Sequence, residues 1–247
     1  MFRKELSRVY ELLDLVEDPS APSAYVQDFD NSIRNEPLKK QVWLAREQEL
    51  QGLDPASWEF LKKEVRPHLT KRDPKGRGWQ QLITILNQAA AYNFLRVIGY
   101  SKVQFIPRAT QTRAETPDLQ GELGCLKVLC EVKTINVSDD EAVARQNATT
   151  RTRADRLEPG FFEKLMSDLK KAKAQMDAYD DGTNARRIAY IVINFDDLLG
   201  EYKELYYRQI DRYLAENLVP GIEVVLHNQK TCFHKSIAMT SATVFNE

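Results

Sequence analysis

Three polar residues of this chain, Asp118, Glu131 and Lys133, have the types and the spacing to hold a metal ion beside an ammonium group. Glu131 and Lys133 belong to a run rich in Leu, Val and Cys, which is typical of a strand with both faces covered. Because side chains alternate along a strand, both fall on one face, beside Leu129. A buried charge without a partner costs free energy, and a cation shared with Asp118 would compensate Glu131. The pattern therefore predicts a metal site.

The elements around these residues would bring them together. A helix over residues 80–98 precedes a short strand over residues 102–107, and a helix over residues 160–178 leads from the Glu131 strand to a buried strand over residues 188–193. Strand, helix, strand is a crossover unit, so we expect its two strands to run parallel. The sequence thus predicts an α/β fold.

The order Pro117-Asp118, twelve residues, then Glu131-Val132-Lys133 resembles the active-site signature of the PD-(D/E)xK nucleases, the restriction-endonuclease-like superfamily. The order of predicted helices and strands around it is similar to that family as well. The resemblance covers roughly residues 78–195, and none is claimed for the N-terminal third. It implies a restriction-endonuclease-like fold, in which helices flank a mixed central sheet, with an N-terminal helical module added.

The resemblance also implies an activity, the metal-dependent hydrolysis of phosphodiester bonds. Asp118 and Glu131 would hold Mg²⁺ or Mn²⁺, with the backbone carbonyl of Val132 as a further ligand, and Lys133 would orient the attacking water. A divalent cation offsets the repulsion between an anionic nucleophile and a phosphate, and it lowers the pKa of a bound water. DNA is the expected partner, and RNA is the alternative.

Three further residues are candidate accessory groups. In the family, the helix after the Glu-x-Lys strand often presents a Lys or Gln toward the site, which here implies Lys171 and Gln175. The helix before the acidic turn often supplies an acidic residue, but residues 80–98 contain none. Gln88, on that helix, has an amide oxygen that suits a hard cation. An ordinary surface position is the alternative for each of the three.

Two basic segments are candidate contacts to nucleic acid. Residues 62–77 hold seven Lys and Arg against two acidic residues, and residues 134–158 are polar and contain several Arg. Such side chains contact phosphates without reading the base sequence. The candidates are Lys71, Arg72, Lys75, Arg77, Arg151 and Arg153. A solvated linker and a loop kept soluble by its charge explain the same composition.

The N-terminal third is expected to be helical. Apolar residues recur at helical spacing over residues 2–17, and a polar connection follows to about Glu36. Pro37 suits the first turn of a helix, and Asp54-Pro55 suits the cap and first position of another. Pro and Gly residues then interrupt the pattern, which predicts a helical module over residues 1–75 and a nuclease-like core over residues 76–247.

The composition is that of an ordinary globular protein. Of 247 residues, 43% are hydrophobic and 29% are charged, and the net charge of −1 argues against a protein that coats nucleic acid over its whole surface. The three cysteines have no Cys-x-x-Cys spacing, so a reducing, cytoplasmic setting is expected. No apolar run predicts a membrane partner or a signal peptide, and a homodimer is compatible with the sequence.

Two other classes of function stay open at this level. A nuclease fold that has lost its chemistry could act as a nucleic-acid-binding or protein-interaction module, as the missing acidic residue in residues 80–98 suggests. A helical adaptor could dock a partner through residues 1–75. Binding without cleavage would favour the former, and an interaction retained by the isolated module would favour the latter.

Overall fold

The structure of the chain is a computed structural model. The chain divides into two compact units, Met1–Ile98 and Gly99–Glu247. This division lies after the helix over residues 80–98, whereas the sequence pattern places the boundary before it, near residue 75. The structure describes residues 2–18, 27–71, 79–107, 116–136, 155–180, 182, 184–193 and 202–228.

The first unit is helical, as predicted. A helix also occupies part of the segment that was expected to be a polar connection, because Phe29 and Ile33, one turn apart, both bury their side chains. The ring of Phe29 makes edge contacts with Tyr10 and Trp43 at centroid distances of 5.9 and 5.3 Å. The α-helices described in this unit are α1 (Ser7–Leu13), α2 (Phe29–Asn35), α3 (Pro37–Gln51), α4 (Pro55–Val65) and α5 (Gln80–Val97).

Helix α5 belongs to the first unit through buried polar contacts with α3. The guanidinium of Arg46 donates to the Leu86 carbonyl at 3.0 Å and to Asn87 Oδ1 at 2.9 Å. Asn93 Nδ2 donates to the Glu49 carbonyl at 2.7 Å. These hydrogen bonds explain why the compact unit extends beyond the predicted boundary. The Pro and Gly residues in the sequence mark where helices end, but they do not show which helices pack together.

Asp54 caps α4 as predicted, and its loss should destabilise the chain measurably. Its Oδ1 accepts from the Ser57 backbone N–H at 2.8 Å, and its Oδ2 accepts from the Tyr92 hydroxyl at 2.6 Å. We expect Asp54→Ala to lower the free energy of unfolding by about 2 kcal/mol, measured by chemical denaturation. Tyr92→Phe, which removes only one of the hydrogen bonds that Asp54 accepts, should cost less. Equal losses would contradict the capping role.

The second unit contains a five-stranded mixed sheet, which confirms the predicted α/β class. The strands are β1 (Ser101–Phe105), β2 (Leu119–Leu123), β3 (Leu126–Ile135), β4 (Arg186–Ile193) and β5 (Glu223–Asn228), and the helices are α6 (Pro159–Tyr179) and α7 (Lys203–Glu216). The sheet order is β1-β2-β3-β4-β5, in which β2 pairs antiparallel with β1 and with β3, and β4 pairs parallel with β3 and with β5. The parallel pairing of β3 with β4 was predicted from the crossover unit.

Helices α6 and α7 pack on one face of this sheet. Leu129 and Ile135 of β3 join an apolar cluster with Leu165 and Leu169 of α6 and with residues of α7. Because β3 side chains alternate, the two residues between Leu129 and Ile135 on that face are Glu131 and Lys133. The sheet therefore turns the predicted catalytic residues toward α6.

Within the described ranges, no helix combines the length and the apolar character that crossing a bilayer requires.

Candidate metal and active site

A tight hairpin brings Asp118 next to Glu131. Strands β2 and β3 are joined by a two-residue turn whose first residue, Gly124, has a φ of 61°, a left-handed conformation that favours glycine. The register pairs Leu123 with Leu126 and Leu119 with Cys130. One step further in the same register, Asp118 lies across from Glu131, and directly opposed residues share a face. The spacing of twelve residues is therefore what this hairpin requires.

Asp118 also accepts a hydrogen bond from the backbone of β3 at a position beyond the end of β2. Its Oδ2 accepts from the Val132 backbone N–H at 2.8 Å, while its own carbonyl accepts from the Ile106 N–H at 2.9 Å. The N–H and C=O of one strand residue point to the same side, so the Val132 carbonyl also faces the side where Asp118 lies. This is the carbonyl that the family resemblance implies as a ligand.

Lys133 links Glu131 to helix α6. Its Nζ donates to Glu131 Oε1 at 2.7 Å and to Gln175 Oε1 at 2.7 Å. An ammonium has three donors, so one remains beyond these two contacts. The Lys133 side chain keeps 21% of its surface exposed, whereas that of Glu131 keeps 4%. The ammonium therefore stands between a buried carboxylate and solvent.

The surroundings of Glu131 disfavour the ionised form of its carboxyl group. Burial is the main cause that raises its pKa, and the neighbouring Asp118 carboxylate raises it further by repulsion and hydrogen bonding, whereas the Lys133 ammonium lowers it. Among the described residues, none donates a hydrogen bond to the buried Glu131 Oε2. A carboxylate with a purely structural role would be expected to have both oxygens satisfied. The arrangement thus lacks a positive charge or a donor at Oε2.

The residues present fit a magnesium ion. When both carboxylates are ionised, they and the ammonium leave one net negative charge, and Glu131 Oε2 and the Val132 carbonyl are oxygen donors of the kind Mg²⁺ prefers. Among the described residues, no group of three or more His, Cys, Asp and Glu could hold a metal ion. Mg²⁺ is commonly bound through one or two carboxylates, with water and substrate phosphate completing its shell. Asp118 and Glu131 are sufficient for that mode.

The accessory candidates have different positions. Gln175 contacts Lys133 directly, and Lys171, one turn earlier on α6, is exposed. Gln88 lies on α5 in the first unit, where it is 8% exposed, and its role as a ligand stays a prediction. The burial of Gln88 argues against the alternative of an ordinary surface position.

Most of the predicted phosphate contacts lie outside the described residues. Lys71 is described and exposed, with its backbone N–H donating to the His68 carbonyl at 3.3 Å. The others, Arg72, Lys75, Arg77, Arg151 and Arg153, fall in ranges that are not described. Their contact with nucleic acid stays a prediction.

Asp168 of α6 is a buried carboxylate. It is 3% exposed and forms an ion pair with Lys164, and within the described ranges its Oδ2 has no hydrogen-bond partner. The signal for burial was its position three residues after Leu165 and four before Ala172, both of which face the sheet. On α6 it lies about 20° around the axis from Gln175.

No family model matches the chain, and searches of the curated proteins and of the solved structures also give no match.

Proposed function

We propose that the protein is a metal-dependent nuclease that hydrolyses phosphodiester bonds, with DNA as the expected substrate and RNA as the alternative. The observation that carries the proposal is the buried Glu131 carboxylate, which receives no hydrogen bond at Oε2, is repelled by the second carboxylate of Asp118 and accepts from Lys133 at Oε1. Desolvated like charges cost stability, and such costs concentrate at functional sites. A divalent cation would remove the repulsion.

Asp118, Glu131 and the Val132 carbonyl are the residues that would hold Mg²⁺. When bound, that ion would supply positive charge to the phosphate and lower the pKa of a water. Lys133 would donate its remaining hydrogen bond to the attacking water or to a phosphate oxygen, and so stabilise negative charge as it develops. Gln175 and Glu131 hold the Lys133 ammonium in place for this.

The direct test is cleavage by the purified full-length chain. Single- and double-stranded DNA and RNA, each linear and circular, are incubated with Mg²⁺, with Mn²⁺ or with EDTA. We expect products with either ion and none with EDTA, and cutting of circular DNA would identify internal cleavage. Absence of products from every polymer with both ions, together with no thermal shift on adding either ion, would refute the proposal.

A second candidate is supported by helix α5, which contains no Asp or Glu. A nuclease fold without catalysis would bind nucleic acid as a recognition module. It predicts salt-sensitive binding without cutting under either ion. The same incubations therefore separate the two candidates.

Gln175 should act on the rate of cleavage through Lys133. Gln175→Met removes the acceptor at similar volume, and we expect kcat to fall about 10-fold with little change in KM, because a misplaced ammonium affects the transition state more than binding. Gln175→Glu keeps an acceptor and should retain most of the rate. Equal losses in both variants would argue against a positioning role.

A further inference from the structure

One edge of α6 lies beside the triad of Asp118, Glu131 and Lys133, and its lysines differ in their ion pairs. Lys171 precedes Gln175 by four residues, so their side chains are neighbours on the helix surface. Because Gln175 accepts from Lys133, this edge of α6 lies next to the proposed reaction centre. Lys171 is exposed there, about 6 Å along the helix axis from Gln175.

The lysines of α6 differ in whether their charge is compensated. Lys164 and Lys173 each form an ion pair with an aspartate four residues later, Asp168 and Asp177. Lys170 and Lys171 have no ion-pair partner among the described residues and are exposed. Lys170 points roughly 140° around the helix from Gln175, whereas Lys171 is within roughly 40°. Lys171 is thus the uncompensated cation of the helix on the side of the triad.

Asp168 pairs with a second lysine, Lys164, on the same edge of α6. Its carboxylate is 3% exposed and pairs with Lys164, whose side chain is 53% exposed, two turns from Lys171 on the same edge. A buried carboxylate holds its charge in a low dielectric, where it neutralises a neighbouring cation more effectively than a solvated one would. The ion pair therefore weakens the attraction of Lys164 for anions in solution, although the Lys164 side chain is exposed.

We propose that this edge of α6 binds the phosphodiester backbone next to the scissile bond, with Lys171 as its first cationic contact and Asp168 withholding Lys164. The inference rests on the proposed function, since it names how the same site holds its substrate. An ammonium contact to phosphate positions the strand without reading its bases. DNA and RNA share this backbone, so the contact serves either polymer.

The test compares Lys171→Ala with the matched control Lys170→Ala in the full chain. Fluorescence anisotropy measures binding of labelled double-stranded DNA, single-stranded DNA and single-stranded RNA in EDTA, over a range of salt concentrations. Loss of one phosphate contact should reduce the slope of log K against log salt by about 0.7 to 0.9 and weaken binding about five-fold near 0.15 M salt. Lys170→Ala should stay within about two-fold of the wild type.

Asp168→Asn tests for the opposite change in affinity, because it removes the negative charge that pairs with Lys164. We expect tighter binding and a slope steeper by about 0.7 to 0.9, which Asp168→Asn combined with Lys164→Ala should reverse. If Asp168→Asn does not fold, Lys164→Ala alone decides, since removal of a compensated cation should leave the slope unchanged. A slope reduced by Lys164→Ala as much as by Lys171→Ala overturns the role of Asp168.

The outcomes separate this inference from the proposed function. Cleavage by the wild type with equal binding by the Lys171→Ala and Lys170→Ala variants overturns the inference and leaves the nuclease standing. The predicted changes in slope, without cleavage by the wild type and without a thermal shift on adding either ion, support the inference as a binding surface and overturn the nuclease. No detectable binding of any of the three polymers by the wild type overturns the inference.

Discussion

Replacing Asp118 with asparagine is expected to lower the rate of phosphodiester cleavage by about 10³-fold or more while the chain stays folded. Asparagine keeps an oxygen that can accept from the Val132 N–H, so the edge of β3 remains satisfied. What is lost is one of two negative charges that would hold the cation, and metal ions supply several kcal/mol of transition-state stabilisation. Each 1.36 kcal/mol is a factor of ten in rate.

The measurement is kcat/KM on the preferred polymer in Mg²⁺, with thermal unfolding as the test of folding. Glu122→Gln is the matched control, because Glu122 belongs to the same hairpin but pairs with the exposed Lys102. It should cleave at the wild-type rate. Activity of Asp118→Asn within ten-fold of the wild type would exclude Asp118 as an essential ligand.

The second large effect concerns stability. Glu131→Gln should make the metal-free chain more stable than the wild type at pH 9 and about equally stable at pH 4. Burial and Asp118 raise the pKa of Glu131 from 4.5 to about 8. A group whose pKa is higher in the folded state contributes stability below its unfolded pKa and loses it as pH rises through the folded value. Glutamine does not ionise, so the variant avoids this loss.

The expected difference at pH 9 is on the order of 5 kcal/mol, since the pKa of Glu131 rises from 4.5 to about 8 on folding and each unit of pKa corresponds to about 1.4 kcal/mol. It is measured by chemical denaturation in EDTA across pH 4 to 9. Added Mg²⁺ should then stabilise the wild type and not the variant, because a ligand stabilises the state that binds it. If the free energy of unfolding changes with pH in the same way for Glu131→Gln and for the wild type, burial does not raise the pKa of Glu131.

The elements that form the site are those in which local sequence and packing agree. The apolar run of β3 and the alternation within it predicted that Glu131 and Lys133 share a face, and the structure turns both toward α6. The crossover argument predicted the parallel partner strand. These inferences depend on side-chain periodicity, which tertiary contacts rarely override in a buried strand.

Other features depend on contacts that no single segment reveals. Gln175 and Lys171 were equal candidates in the sequence, and the structure separates them because Lys133 reaches Gln175 and leaves Lys171 exposed. Helix α2 was missed because two apolar side chains within a polar segment gain their burial from other helices. The assignment of α5 to the first unit follows from hydrogen bonds to α3.

Two acidic side chains and one backbone carbonyl of the proposed reaction centre come from a single hairpin, and this has a consequence for how the protein can evolve. Insertion of one residue in the turn at Gly124 would shift the strand pairing and send Asp118 to the opposite side of the sheet. Lengthening both arms by equal amounts would preserve the opposition. Because the paired residues are close in sequence, closing the hairpin costs little chain entropy. The hairpin therefore carries the two acidic side chains and the backbone carbonyl as one local unit, whatever scaffold surrounds it.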